Sequence, residues 1–177
     1  MSFKPEYLAD ATVDVALDEK IRALLTTCFV GPNNEVFKDR RYYKEPYPHR
    51  WVIKNQQGAF IAHVGVHDKI VQADGKTYRI AGICEVCVHP DHRGHGYVKA
   101  MLECIHKWLV PQGFDFSVLF GDSKVYGSSG YVNITNLYQD VIGEDGQKHR
   151  KQLLPMVKAL TAKSWPTTEV FLPGLTF

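Results

Sequence analysis

The stretch Val86-Cys87-Val88-His89-Pro90-Asp91-His92-Arg93-Gly94-His95-Gly96-Tyr97 limits what this chain can fold into more than any other. An apolar, β-patterned run ends at Pro90 and passes through two glycines into a helical segment. Val98, Leu102, Ile105 and Leu109 share one face of that segment, and Pro111 with Gly113 ends it. The first turn of any helix leaves amide donors without intrahelical carbonyls, and the helix dipole makes that end favourable for anions. Glycines there remove the Cβ atoms that would hold a phosphate away from those amides. Arg93 adds a charged fork, and His95 or Lys99 can reach a second phosphate. The physical expectation is a pyrophosphate cradle. It is not a Walker loop, because no Gly-Lys-Ser/Thr follows, and a dinucleotide fingerprint would need glycine where Lys99 stands. Two glycines at such a turn are equally what a tight turn requires, so the fragment by itself leaves both readings open.

The rest of the chain supplies strands and helices around this unit. Asp18 to Phe29 carries Ile21, Leu24, Leu25 and Cys28 at helical spacing, with Gly31-Pro32 as the stop. Phe37 to His49 is polar and rich in tyrosine, and reads as a surface loop or short irregular helix. The period then changes to two. Arg50 to Lys54 and Ala59 to Asp68 are strands about an Asn55–Gly58 turn, and Ile70 to Gln72 leads through Asp74-Gly75 to a long strand, Thr77 to Val88. Phe114 to Phe120 and Tyr131 to Val141 are further strands. A glycine- and serine-rich loop with Tyr126 lies between them, and Glu144-Asp145-Gly146 is a turn. Gln152 to Ala162 has helical spacing, and Glu169 to Leu172 ends the pattern as a short strand. The fold class is α+β: a central mixed, largely antiparallel sheet flanked by helices, in one domain spanning 1–177 with its core at about 50–141.

Two segments together resemble the GNAT superfamily of N-acetyltransferases. The Val86–Gly96 run is similar to its central motif, an apolar strand and a proline followed by Arg/Gln-x-x-Gly-x-Gly/Ala opening a helix. Arg93 and Gly96 match their positions; Val98 stands where the pattern has a small residue, and begins the helix's apolar face. Leu119 to Tyr131 resembles the later motif, in which a tyrosine is followed four residues on by glycine and an aromatic. The form Gly121-Asp122-x-x-x-Tyr126 resembles one bacterial branch.

The resemblance implies acetyl-coenzyme A as co-substrate, no metal, and direct transfer of its acetyl group to a primary amine of a small molecule or peptide. It implies that Val86, Cys87, Val88, Arg93, Gly94, His95, Gly96, Tyr97 and Val98 hold the cofactor, with the N–H of Val88 or Cys87 facing the carbonyl oxygen. It also implies Tyr126 as the acid that protonates the departing sulfur. A packed aromatic is the plain alternative. Such a transfer needs an amine of pKa about 10 to lose its proton. Glu85, on the cofactor strand, is the candidate base, although strand alternation equally allows it to be an ordinary charge in solvent. Tyr42, Tyr43, Tyr47, His63 and His67 are candidates to line an acceptor site, each equally readable as packing or surface. Family members are often dimers, which makes a homodimer an expectation.

Other functions are weighed against this. Cys84-Glu85-Val86-Cys87 has the spacing of a zinc knuckle, but it lies in a β-patterned run without a turn, where residues three apart face opposite sides. A net charge of +2 without a basic stripe argues against nucleic acid and membrane surfaces. The first residues lack a signal-like apolar core, so a cytoplasmic location is the expectation. A domain that binds acetyl-coenzyme A as a sensor or structural ligand, without turnover, is the alternative function.

Overall fold

The computed structural model describes residues 4–177. The strands are β1 (Glu6–Ala9), β2 (His49–Lys54), β3 (Phe60–Ala73), β4 (Lys76–Val88), β5 (Phe116–Leu119), β6 (Val132–Asn133), β7 (Leu137–Ile142), β8 (Lys148–Leu153), β9 (Met156–Ala159) and β10 (Val170–Phe171). The α-helices are α1 (Val15–Cys28), α2 (Tyr97–Leu109) and the single turn α3 (Ser123–Tyr126). The backbone divides into two compact units. The first comprises the residues up to His67, Ile83–Ile105 and Phe177, and the second Asp68–Gly82 and His106–Thr176. Strands β3 and β4 each give one half to each unit.

In the first unit β1, β2 and β3 pair antiparallel in that order, and the His89 N–H bonds the Ile61 carbonyl at 2.8 Å where β4 leaves β3. Helix α1 starts at Asp14, whose carboxylate accepts the Leu17 N–H at 2.8 Å. Its face Ile21, Leu24 and Leu25 packs with Phe37, Val52, Phe60 and Cys87 into one apolar cluster. Residues 60–67 of β3 are buried without interruption, as expected of a strand covered on both faces.

In the second unit the order is β6-β9-β5-β4-β3-β10-β7-β8. Strand β10 pairs antiparallel with β3, as do β5 and β6 with β9 and β7 with β8, whereas β10 lies parallel to β7, which makes the sheet mixed as the sequence implied. Asp74 and Gly75, at φ 50° and 71°, form the left-handed turn that closes β3 onto β4.

Three local expectations are corrected. Gln152 to Ala162 is not a helix but two strands, β8 and β9, separated by Leu154-Pro155. The helical spacing there is real, yet Pro155 has no N–H to give, and β5 and β6 supply partners on both sides of β9. Leu154, which a helical face would bury, is exposed. Tyr131 to Val141 is likewise two strands. Between them Ile134 bonds the Pro155 carbonyl at 3.1 Å, and the Asn136 amide reaches the Pro166 and Thr168 carbonyls at 2.8 and 2.5 Å. Finally, the Tyr126 segment is not irregular loop: Asp122 caps it by accepting the Lys124 N–H at 2.8 Å, and it closes the helical turn α3.

Candidate active site

The glycine loop is built by backbone conformation. Pro90–His92 forms a 3-10 turn capped by the His89 ring, whose Nδ1 accepts the Asp91 N–H at 3.3 Å. Gly94 and Gly96 follow at φ 80° and 73°, a region L side chains rarely adopt. That conformation alone demands both glycines, and it also leaves the space above them clear, since a Cβ at either would meet nothing within 4 Å. The Ala100 N–H bonds the Gly96 carbonyl at 3.1 Å, so Val98 and Lys99 stand in the first helical turn, where amides point outward along the axis. Arg93 is exposed and tied to the end of β4 by Nε, which donates to the Val88 carbonyl at 3.2 Å. His95 stacks on Tyr97 with ring centroids 5.6 Å apart, its Nδ1–H donating to the His92 carbonyl at 3.1 Å. Helix α2 beyond this point buries Met101, Leu102 and Ile105, while Val98 is half-buried.

Strand β4 is not regular where it approaches the loop. Glu85 sits at φ 47°, a left-handed kink in a non-glycine residue and a strained conformation that its surroundings must hold. Cys87 beyond it packs into the α1 cluster, Val86 and Val88 are half-buried, and Cys84 lies beside Tyr47. The hydrogen bond to Cys28, and then burial, hold the Cys87 thiol well above its ordinary range. Among the described residues no group of three or more histidine, cysteine or carboxylate side chains is placed to hold a metal ion.

The Glu85 side chain turns inward. Its carboxylate accepts the Tyr43 N–H at 2.7 Å and the Tyr47 hydroxyl, rather than extending as a surface charge. Burial raises its pKa, against the two hydrogen bonds and the charges of Arg50 and Arg40, which lower it. Behind it lies a buried cluster. Arg50, fully enclosed, donates from Nη1 to the Tyr47 oxygen at 2.6 Å and pairs with Asp10 at 2.7 Å. Arg41 joins the same Asp10 at 2.8 Å. His63 is buried as well, its pKa lowered to about 3 by burial and by the Arg50 charge.

Of the residues suggested for an acceptor site, Tyr47, His63 and His67 are therefore interior, and the Tyr42 ring lies under the Arg40 guanidinium at 5.0 Å. The sequence reading missed Asp10, Arg41 and Arg50. One signal was present for the last: an arginine leading straight into Trp51-Val52-Ile53, a run apolar enough to be buried on both faces.

Tyr126, at the end of α3, is half-buried, and burial raises its pKa. Its ring stands edge-on to Tyr131 with centroids 6.3 Å apart. It lies where a Cβ on Gly121 would be, which gives the Gly121-Asp122-x-x-x-Tyr126 spacing a local meaning. Gly121 makes room for the ring and Asp122 starts the turn that delivers it.

A profile described as the acetyltransferase (GNAT) domain matches residues 17–133, which span the glycine loop, α2 and Tyr126. The chain belongs to the GNAT acetyltransferases. Several GNAT structures share its fold at low identity. A GNAT family N-acetyltransferase (YhbS) from Escherichia coli, in complex with CoA, matches with a TM-score of 0.68 and 17% identity over 99% of this chain and 97% of its own. A GNAT family acetyltransferase from Brucella melitensis, in complex with acetyl-CoA, matches at 0.62 and 16%, covering 96% of each chain. The ribosomal-protein-S18-alanine N-acetyltransferase of Escherichia coli matches at 0.56 and 16%, over 90% of this chain and 96% of its own. No curated protein matches this GNAT chain. Among its described residues no helix is long and apolar enough to cross a membrane.

Proposed function

We propose that this GNAT chain transfers the acetyl group of acetyl-coenzyme A directly to a primary amine. The observation that carries the reading is the pair of left-handed glycines, 94 and 96, opening a 13-residue helix with clear space above them. A diphosphate suits that end of a helix, with the Val98 and Lys99 amides and the Arg93 charge as its partners. The CoA and acetyl-CoA complexes of the Escherichia coli and Brucella relatives support the same co-substrate here.

In this mechanism Glu85 takes a proton from the ammonium form of the acceptor, and the neutral amine attacks the thioester carbonyl. The N–H of Val88 or Cys87 stabilises the charge that gathers on the oxygen. As the C–S bond breaks, Tyr126 gives its proton to the sulfur, and the surplus proton on the new amide nitrogen passes through solvent to restore the Tyr126 hydroxyl. The half-buried settings of these two residues suit their roles. Burial raises the Glu85 carboxyl, making it a better base than a surface glutamate, and raises Tyr126, which keeps its proton at neutral pH. Cys87, held as the thiol, is a poor nucleophile, and this favours direct transfer over an acyl-cysteine.

Titration calorimetry with coenzyme A tests the binding half. Arg93→Ala is expected to weaken binding roughly tenfold or more, since a hydrogen bond to a charged group contributes about 1.5–3 kcal/mol. Heat equal for both proteins, or none for either, removes the diphosphate cradle. For the chemical half, free thiol is followed while the protein, acetyl-coenzyme A and a panel of primary amines are mixed. Release that depends on the amine supports the enzyme. Binding without release across the panel leaves a coenzyme A sensor instead.

A further inference from the structure

The cluster behind Glu85 has a direction. Arginine has only donors, so the contact of Arg50 Nη1 with the Tyr47 oxygen, 2.6 Å, fixes that oxygen as acceptor. The phenolic proton is then free to be given away. It goes to Glu85 Oε2, with the Arg41 carbonyl at 3.4 Å as a more distant competitor. Burial holds the Tyr47 phenol well above its ordinary range, so it keeps this proton.

The same reasoning applies to His63. Its Nδ1 lies against a backbone carbonyl, which can only accept, so Nδ1 carries the hydrogen and Nε2 turns its lone pair to Arg50 Nη1, 3.2 Å away. That Nδ1–H donates to the Glu85 backbone carbonyl at 2.9 Å. Arg50 itself is locked by Asp10, through Nε at 2.9 Å and Nη2 at 2.7 Å, and its guanidinium lies over the Tyr47 ring at 4.2 Å. Besides its bond to the Arg41 carbonyl at 3.1 Å, this buried arginine therefore has two contacts through Nη1 that end on one residue. One reaches the Glu85 carboxylate through Tyr47, and the other reaches its backbone through His63, at the point where φ is 47°.

We infer that Tyr47 and His63 are positioning residues: Tyr47 fixes the carboxylate of Glu85, and His63 fixes the kinked backbone from which that carboxylate leaves β4. The inference deepens the proposed mechanism and rests on it only where it speaks of turnover. A structural cluster needs no such convergence, because the Asp10–Arg50 pair would hold β2 in place without Tyr47 or His63 touching Glu85.

The groups around Glu85 give the sign of the test. Tyr47 and the Tyr43 N–H bond its carboxylate, Arg50 and Arg40 act on it by charge, His63 holds its carbonyl, and Cys87 lies beyond it on the same strand. Burial opposes the charged form, while Tyr47 favours it by donating. Tyr47→Phe keeps the ring, removes that hydrogen bond and leaves burial less opposed. The Glu85 carboxyl should then titrate about one pH unit higher, roughly the worth of one such bond.

The measurement is a carbon-13 carboxyl titration of the full chain, with the Glu85 signal assigned by its loss in Glu85→Gln. The acidic limb of kcat/KM for acetyl transfer is followed on the same proteins. The expected result for Tyr47→Phe is an upward move of both midpoints by the same amount, with about a tenfold loss of rate on the acidic side. A folded Tyr47→Phe whose Glu85 midpoint stays where it was overturns the inference. If the midpoint moves while Glu85→Gln turns over at the parent rate, the positioning stands and the role of Glu85 as base falls. His63→Leu provides a second reading that does not depend on the phenylalanine variant folding. Freed from the Nδ1–H, the Glu85 midpoint should return towards that of an ordinary glutamate and turnover should slow at every pH. An unchanged midpoint there overturns the His63 half.

Discussion

Taking the protein from pH 7 to pH 5 is expected to cost it about 2 kcal/mol of folding stability for each of two buried histidines. His63 in the first unit and His106 in the second have pKa values lowered to about 3 and about 4, in each case by burial first. The charge of Arg50 adds to the effect on His63, and that of Lys158 to the effect on His106. The sign follows from proton uptake. An unfolded histidine binds its proton below about 6.5, whereas the folded ones refuse it until the pH nears about 4 for His106 and about 3 for His63. Stability is thus complete above about pH 6.5 and falls as the pH drops towards the folded values.

Other shifted groups leave this window readable. Asp10 and Asp18, lowered in spite of burial by their bonds to arginine, lose their contribution only below the ordinary carboxylate range. Glu85 is raised and works in the opposite direction, offsetting part of the loss near the bottom of the window. Urea unfolding at pH 7 and pH 5 measures the difference. His63→Gln and His106→Gln should each flatten it by about half. Should a variant keep the full pH dependence of the parent, the histidine it removes is not responsible. If the two units melt separately, the first should respond to His63 and the second to His106.

What could be read from the sequence was what depends on neighbours along the chain. The glycine loop and α2 are legible because a strand, two glycines and a 3.6-residue period occupy a single short stretch, and the β3–β4 turn is legible because Asp74-Gly75 is local chemistry. The buried cluster was not. Arg50 meets Asp10 from 40 positions away, and Tyr47 meets Glu85 from 38, and no periodicity announces such partners. The left-handed kink at Glu85 could not be foreseen either, because nothing in Cys84-Glu85-Val86 favours it locally; the bonds from Tyr43, Tyr47 and His63 hold it. The segment around Pro155 shows the reverse failure. Its local pattern was helical, and the vacant edges of β5 and β6 overrode it.

Gly121→Ala should cost about a hundredfold in kcat while hardly disturbing the binding of coenzyme A, if Tyr126 is the acid. The substituted Cβ would stand 2.6 Å from Cδ2 of the Tyr126 ring and 3.2 Å from the Leu119 side chain. Something must move, and the half-exposed ring is freer to do so than Leu119, which is fully enclosed in β5. The fold should therefore survive with a loss of about 1 kcal/mol, at the low end of overpacking costs. The hydroxyl would leave the place from which a proton is given. Tyr126→Phe keeps the ring and removes only the hydroxyl, so it should lose a similar factor. The two effects act through one oxygen atom, and the double variant should be no slower than Tyr126→Phe alone. Multiplying losses would show that Gly121 serves something other than the position of Tyr126. A Gly121→Ala protein as active as its parent, beside a crippled Tyr126→Phe, would mean that the ring tolerates displacement. The close fit of Gly121 to that ring would then be packing alone.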